Sequence, residues 1–172
     1  CGCLLNCDSS TLPDRTYGGI DMDVRDKKVL VFGSGISGEA ACSLLLANGA
    51  EVVLYDGNDK LDTKEILAKI SGSENGKITV VLGALSEEEK NELFQDLTLT
   101  VMSPGVPTDL PIVNEMREMG IPIWGEIELA YVFGKGDVLA ITGTNGKTTT
   151  TTLVGEIFKS YYPEVFVVGN IG

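Results

Sequence analysis

One stretch, Val138 to Leu153 (VLAITGTNGKTTTTTL), constrains the fold of this chain more than any other. Its first four residues, Val138 to Ile141, have the length and apolar character of a buried parallel strand. A glycine-rich loop follows, Gly143-Thr144-Asn145-Gly146-Lys147-Thr148-Thr149, and then a helical pattern. In such a strand–loop–helix unit the backbone N–H groups converge on the helix N-terminus, where roughly half a positive charge also resides. Glycines let the main chain approach an anion closely, Lys147 can reach the outer phosphates, and the Thr148 hydroxyl can ligate Mg²⁺. The usual spacing G-x-x-x-x-G-K-[ST] would put glycine at 141. This chain has Ile141 there and a shorter loop that starts at Gly143. Strand, loop, Gly-Lys-Thr and helix still fall in the required order, so the stretch reads as a phosphate site.

A second unit of the same kind lies near the other end. Lys28–Phe32 reads as a buried strand, Gly33-Ser34-Gly35-Ile36-Ser37-Gly38 as a turn, and the next residues to about Ala47 as a helix ended by Asn48-Gly49. Val52–Tyr55 then forms a second strand that ends in Asp56, about 20 residues beyond the first glycine. This is the opening of a Rossmann-like sheet, with a phosphate-bearing ligand on the helix N-terminus. Asp56 either accepts hydrogen bonds from the ligand's sugar or base or is a solvated strand-end carboxylate. Taken alone, the pattern also suits an NAD(P)-binding module of a dehydrogenase or redox sensor.

Between the two units the chain alternates helices and strands. A helix is expected over Asp62–Ile70, a turn cluster at 71–76, a strand over Ile78–Leu82 and a helix opened by Ser86 with Glu89 in a capping box. A strand over Leu99–Met102 lands on Ser103-Pro104-Gly105-Val106-Pro107, at the edge where open α/β sheets bind ligands. A helix over Leu110–Met119, an edge strand at Ile121–Trp124 and a helix from Gly125 follow. The expected organisation is a Rossmann-like α/β domain over 28–124, a linker helix and hinge over 125–136, and the start of an α/β ATPase domain over 137–172. Two strands and one helix cannot cover a parallel sheet on both faces, so this last part is expected to belong to a larger, truncated domain.

Of 172 residues, 25 are acidic and 13 basic, a net charge of −12 that argues against a general nucleic-acid or membrane-surface binder. There is no histidine, which removes the commonest general base and metal ligand from this stretch. No apolar run approaches the roughly 18 residues of a membrane span. Three of the four cysteines, Cys1, Cys3 and Cys7, crowd the N-terminus, where no second pair completes a metal site. Met22 looks like a native start, which makes residues 1–21 a poorly ordered extension and 1–27 a leader. Cys42 sits in an apolar helix as a small core residue, and the reading is reduced and cytosolic.

The order of motifs narrows the choice: the glycine-rich βαβ unit, then SPG at 103–105, GEIEL at 125–129, ITGTNGKTT at 141–149 and VGNIG at 168–172. In this order the chain resembles the Mur ligases over residues 28–172, and among them the branch that adds D-glutamate to UDP-N-acetylmuramoyl-L-alanine. Relatives that add L-alanine usually carry histidine where this chain has Asn145. Folylpolyglutamate synthases resemble G-T-N-G-K-G-S, whereas Thr148-Thr149 follow the lysine here. The resemblance implies that Gly33, Gly35, Ile36, Ser37 and Gly38 cradle a UDP diphosphate. Asp56 would hold the uracil–ribose end, Gly105 would line the site and Asn170 would reach the UDP-sugar. Where relatives can present Thr-Arg after that acid, this chain has Gly57-Asn58.

The same resemblance gives Lys147 and Thr148 the ATP phosphates and Mg²⁺ and a catalytic role, with Gly143, Thr144, Asn145, Gly146 and Thr149 adding loop contacts. The implied reaction activates the substrate carboxylate as an acyl phosphate at the expense of ATP, and the amine of D-glutamate then displaces phosphate. D-Glutamate and a second metal would be held by parts of the family outside this chain. The chain alone is therefore expected to be inactive, and the full-length protein a monomer.

Overall fold

The computed structural model describes residues 2–6, 23–134 and 137–169. In order these form β1 (Gly2–Asn6), β2 (Lys28–Phe32), α1 (Ile36–Ala47), β3 (Glu51–Asp56), α2 (Thr63–Lys69), β4 (Ile78–Leu82) and α3 (Glu87–Phe94). Then come β5 (Leu97–Met102), α4 (Pro111–Glu118), β6 (Ile123–Gly125), α5 (Glu126–Phe133), β7 (Asp137–Ile141), α6 (Lys147–Lys159) and β8 (Val165–Gly169). Two compact units result: Asp21–Ala130, and Cys1–Ile20 together with Tyr131–Gly172. The division falls inside α5.

The first unit is an α/β fold on a five-stranded sheet of order β4-β3-β2-β5-β6, every neighbouring pair parallel. Its central strand carries Val29, Leu30 and Val31 at zero exposure, because a strand with helices on both faces has no solvated side. Successive residues point to opposite faces. Leu30 and Phe32 join one core cluster with Leu93 and Phe94 of α3 and Val113 and Met116 of α4. On α1, which packs on β2 and β3, the buried residues are Gly38, Ala41, Cys42 and Leu45. Burial pushes the Cys42 thiol up to about 12, so it is an inert core side chain.

Local signals act as their chemistry dictates. Asp62 caps α2 by accepting from the Lys64 and Glu65 amides. Ser86 and Glu89 form the reciprocal capping box of α3. β6, preceded by Pro122, pairs only with β5 and is the sheet edge.

The second unit departs from expectation in two places. Residues 2–6, expected within an unordered leader, form strand β1, which pairs antiparallel with both β7 and β8. The end of the leader, residues 23–27, is an ordered turn with Val24 buried and the Asp26 amide donating to the Gly49 carbonyl, whereas Cys1 and residues 7–22, with Cys7, lie outside the described residues. Val138–Ile141, expected as a buried parallel strand, sits in β7 antiparallel to β1, with Val138 and Ile141 half-buried and Leu139 and Ala140 exposed. The physical reason is coverage: the helix packed on this small sheet is α6, and one helix shields one face. Leu139, Leu153, Ile157, Phe166 and Val168 are accordingly exposed. Of the expected hinge, Lys135 and Gly136 lie outside the described residues. Among those described, no helix is long and apolar enough to cross a membrane.

Candidate functional site

In the five-stranded sheet the connections run outward from β2 in opposite directions, to β3 and β4 on one side and to β5 and β6 on the other. The loops after β2 and β5 therefore diverge and leave a crevice at the C-terminal ends of the strands, where open α/β sheets take their ligands. A cleft of about 940 Å³ opens there. Gly33 and Gly35 line it from the first loop, Ile36 and Ser37 from the start of α1, Asp56 from the end of β3 and Gly105 from the loop after β5. The fold thus brings together six of the residues singled out for the nucleotide sugar.

The three glycines of the turn have three different reasons. Gly33 has φ +105°, and a Cβ there would come within 2.9 Å of Ser103 Cβ. At Gly38 a Cβ would stand 2.0 Å from the Gly33 carbonyl oxygen, so this residue does not line the cleft but lets α1 pack against the loop. A Cβ at Gly35 would meet nothing within 4 Å. The protein's own packing does not ask for glycine at this position, whereas a ligand that must lie against bare backbone at the start of α1 does.

Asp56 is committed to the same loop. One carboxylate oxygen accepts from the Ser34 amide at 2.9 Å and the Ser34 hydroxyl at 2.7 Å, and the other accepts from the Asn58 amide at 3.0 Å. Burial works against its charge, but the Ser34 and Asn58 hydrogen bonds outweigh that cost and hold the carboxyl below its ordinary value of 3.8. A lowered carboxyl stabilises the fold above its unfolded-state value and loses that contribution as pH falls through the folded one. Asp56→Asn is therefore expected to cost about 1 kcal/mol at pH 7. The deficit should shrink below about pH 4, which urea unfolding of both proteins along a pH series will read.

Side-chain contacts that the motifs do not spell out brace the cleft. Ser103, buried, has its hydroxyl 2.7 Å from Glu126 Oε1 and 3.4 Å from the Gly33 carbonyl, and its amide donates to the Phe32 carbonyl at 3.0 Å. It thereby ties the glycine turn to β5 and to the first residue of α5. Glu128 accepts from the Gly125 amide and closes the start of the same helix. Lys90 of α3 donates to Glu115 of α4 and pairs with Glu87. Hydrogen bonds to Glu87 and then Glu115 hold its ammonium above the usual lysine value. The SPG motif pointed to Ser103; nothing in the spacing of α3 and α4 pointed to the Lys90 bridge.

In the second unit, Gly146 has φ +74° and precedes the 13-residue helix α6, as a glycine loop turning into a helix requires. The Lys147 ammonium donates to the carbonyls of Gly143 and Thr144, which lays it across the loop, and the Thr151 hydroxyl donates to the Lys147 carbonyl at 2.8 Å. Thr144, Asn145, Thr148 and Thr149 are exposed around it. A cationic side chain over a loop at a helix N-terminus, with a hydroxyl at the next position, is a donor set that fits a polyphosphate and its Mg²⁺. Asn170 lies outside the described residues.

A family model described as Mur ligase MurD-like, N-terminal domain, matches residues 27–125. The chain belongs to the MurD-like Mur ligases. Two curated relatives, both UDP-N-acetylmuramoylalanine–D-glutamate ligases, stand near it. The one from Lachnoclostridium phytofermentans is 55% identical over 151 residues and the one from Lachnospira eligens 51% over the same length. Each alignment covers 88% of this chain and 32% of the relative, so the chain spans about a third of the length of the Mur ligases it matches. Among solved structures, the precorrin-2 dehydrogenase SirC aligns at 19% identity over 86% of this chain and 71% of its own, with a TM-score of 0.46. The family match covers the cleft-bearing unit almost end to end, and the relatives' alignments extend beyond it.

Proposed function

We propose that this chain serves an ATP-dependent amide ligase of peptidoglycan precursor synthesis, which joins D-glutamate to UDP-N-acetylmuramoyl-L-alanine. The observation that carries this reading is a MurD-like chain with both a cleft on the Gly33 turn and a Gly-Lys-Thr loop at the head of α6. In it, the amides at the start of α1 bind the diphosphate of the UDP-sugar, Gly35 leaves it room, and Gly105 closes the opposite wall. Asp56 holds the turn in shape through Ser34, and its remaining lone pairs face the ribose. Ile36, 88% exposed at the cleft, offers an aliphatic surface to the nucleoside. Asn170 would reach the same substrate.

Lys147 and Thr148 would hold the ATP phosphates and Mg²⁺, with Gly143, Thr144, Asn145, Gly146 and Thr149 shaping the loop. ATP supplies the phosphoryl group that activates the substrate carboxylate, and positioning and charge neutralisation are what the loop contributes. D-Glutamate and a second metal fall to residues beyond those described, so the chain by itself binds the UDP-sugar weakly and does not form the amide. Its expected location is the cytosol and its full-length state a monomer.

The NAD(P) alternative accounts for the Gly33 turn and leaves the loop around Lys147 without a purpose. Calorimetric titration separates the two. UDP-N-acetylmuramoyl-L-alanine is expected to bind and NADH, added first, not to diminish that heat. Saturable heat from NADH and none from the UDP-sugar would favour the dehydrogenase module.

A further inference from the structure

Among the described residues, two buried side chains with hydroxyls line the cleft, Ser103 and Tyr55. The Ser103 hydroxyl is engaged by Glu126 and the Gly33 carbonyl. The Tyr55 hydroxyl bonds to no described residue, although the side chain is only 7% exposed. Its ring is firmly placed. It lies 4.8 Å from the Phe32 ring and shares a core cluster with Leu93 and Phe94 of α3 and Met116 of α4. Those neighbours are apolar and have no partner to offer a phenol.

A buried hydroxyl without a partner is costly, and folded proteins rarely leave one. Phenylalanine would fill the same space beside Phe32 without that cost, so the core gains nothing from the oxygen. An occupant of the cleft can. The cleft divides by charge: the amides at the start of α1 suit a phosphate, whereas the Asp56 carboxylate, next after Tyr55 in the chain, repels one and suits a neutral group. Burial and then the Asp56 charge raise the Tyr55 phenol above its ordinary value of 10.0. It therefore keeps its proton at neutral pH and stays a donor. The part of a nucleotide sugar that is uncharged and rich in acceptor oxygens next to the diphosphate is the nucleoside.

We propose that the Tyr55 hydroxyl is a binding group for the ligand and donates its hydrogen bond to the nucleoside, at the Asp56 end of the cleft. The glycine turn then holds the charged part of the ligand and β3 holds the neutral part, Asp56 shaping the turn and Tyr55 touching the ligand. The inference rests on the nucleotide-sugar reading of the cleft and adds a contact that the glycine fingerprint does not contain.

NMR chemical-shift titration of the chain and of Tyr55→Phe with UDP and with inorganic pyrophosphate, at up to millimolar concentrations, tests it. Tyr55→Phe is expected to weaken UDP binding about three- to tenfold, the loss of one neutral hydrogen bond. Pyrophosphate, which has no nucleoside, should respond equally to both chains. Stability separates this from a structural role: with the hydroxyl unpartnered in the free chain, Tyr55→Phe should unfold in urea at the parental midpoint or above it. Tyrosine labelled with ¹³C at Cζ reads the contact directly. The resonance missing from Tyr55→Phe should move when UDP is added and stay in place with pyrophosphate. Equal UDP affinity in the two chains, or a loss for pyrophosphate as large as that for UDP, overturns the Tyr55 contact and leaves the nucleotide cleft standing. A lower urea midpoint for Tyr55→Phe means that the hydroxyl is bonded within the protein and overturns it likewise. No UDP binding by the parent chain overturns the nucleotide-sugar reading and this inference together.

Discussion

Gly38→Ala is expected to abolish nucleotide binding and to destabilise the Asp21–Ala130 unit by about 3 kcal/mol or more. Two effects oppose each other at this position. Gly38 lies in the first turn of α1, where alanine is the better helix former by about 1 kcal/mol. Its Cβ, however, would stand 2.0 Å from the Gly33 carbonyl oxygen, a backbone atom that cannot swing aside as a flexible side chain can. Either α1 moves off the sheet, exposing Ala41, Cys42 and Leu45, or the Gly33 turn opens and its amides lose their aim. The clash wins. Gly35→Ala is the matching control: with nothing within 4 Å of the new methyl group and an ordinary φ of −70°, it should fold as before and lose affinity for a diphosphate. Urea unfolding and a UDP titration of both variants check this pair. A Gly38→Ala protein as stable as the parent would mean that α1 does not sit where the structure puts it.

Lys147→Ala, in a protein of the relatives' length, is expected to slow ligation by about 10²–10³-fold. The lysine's proposed work is to neutralise charge on a transferring phosphoryl group, and removing one such donor typically costs that much. Folding should not register the change. The Lys147 ammonium donates to the loop carbonyls of Gly143 and Thr144, none of residues 143–150 is in the core, and the buried Thr151 one turn on keeps its bond to the backbone carbonyl at 147. The assay is the initial rate of amide formation beside a thermal melt. A variant that melts with the parent and still ligates at the parental rate would remove the phosphate loop from the mechanism.

Much of the sheet was legible because each strand announces itself by a short apolar run between turn residues. Lys28–Phe32 and Ile78–Leu82 come out with the bounds the run implies, and Pro122 marks β6 as an edge. Capping chemistry is equally local, as Ser86 with Glu89 shows. The glycine turn was legible as a turn, but the division of labour among its glycines was not. Only packing reveals that Gly38 faces a carbonyl and Gly35 faces open space. The spacing leaves Asp56 as either a ligand contact or a solvated strand-end carboxylate, whereas its carboxylate is committed to Ser34, a contact that one-dimensional spacing cannot reveal. The Lys90–Glu115 bridge joins two helices whose relative placement depends on β5 lying between them in sequence, so no periodicity within either helix foretells it. In the second unit, β7 has the composition of a buried strand, but its burial depends on what covers it, which composition does not encode.

Ser103 meets the Gly33 carbonyl across 70 residues of chain, and Asp56 grips Ser34 across 22. As the polypeptide leaves the ribosome, then, the glycine-rich segment is made early and acquires its working shape late. Its bond to Asp56 waits for the end of β3, and its bond through Ser103 waits for β5 and for Glu126 at the start of α5. A nascent chain halted before Ser103 would carry the whole fingerprint and lack the contact that ties the turn to β5.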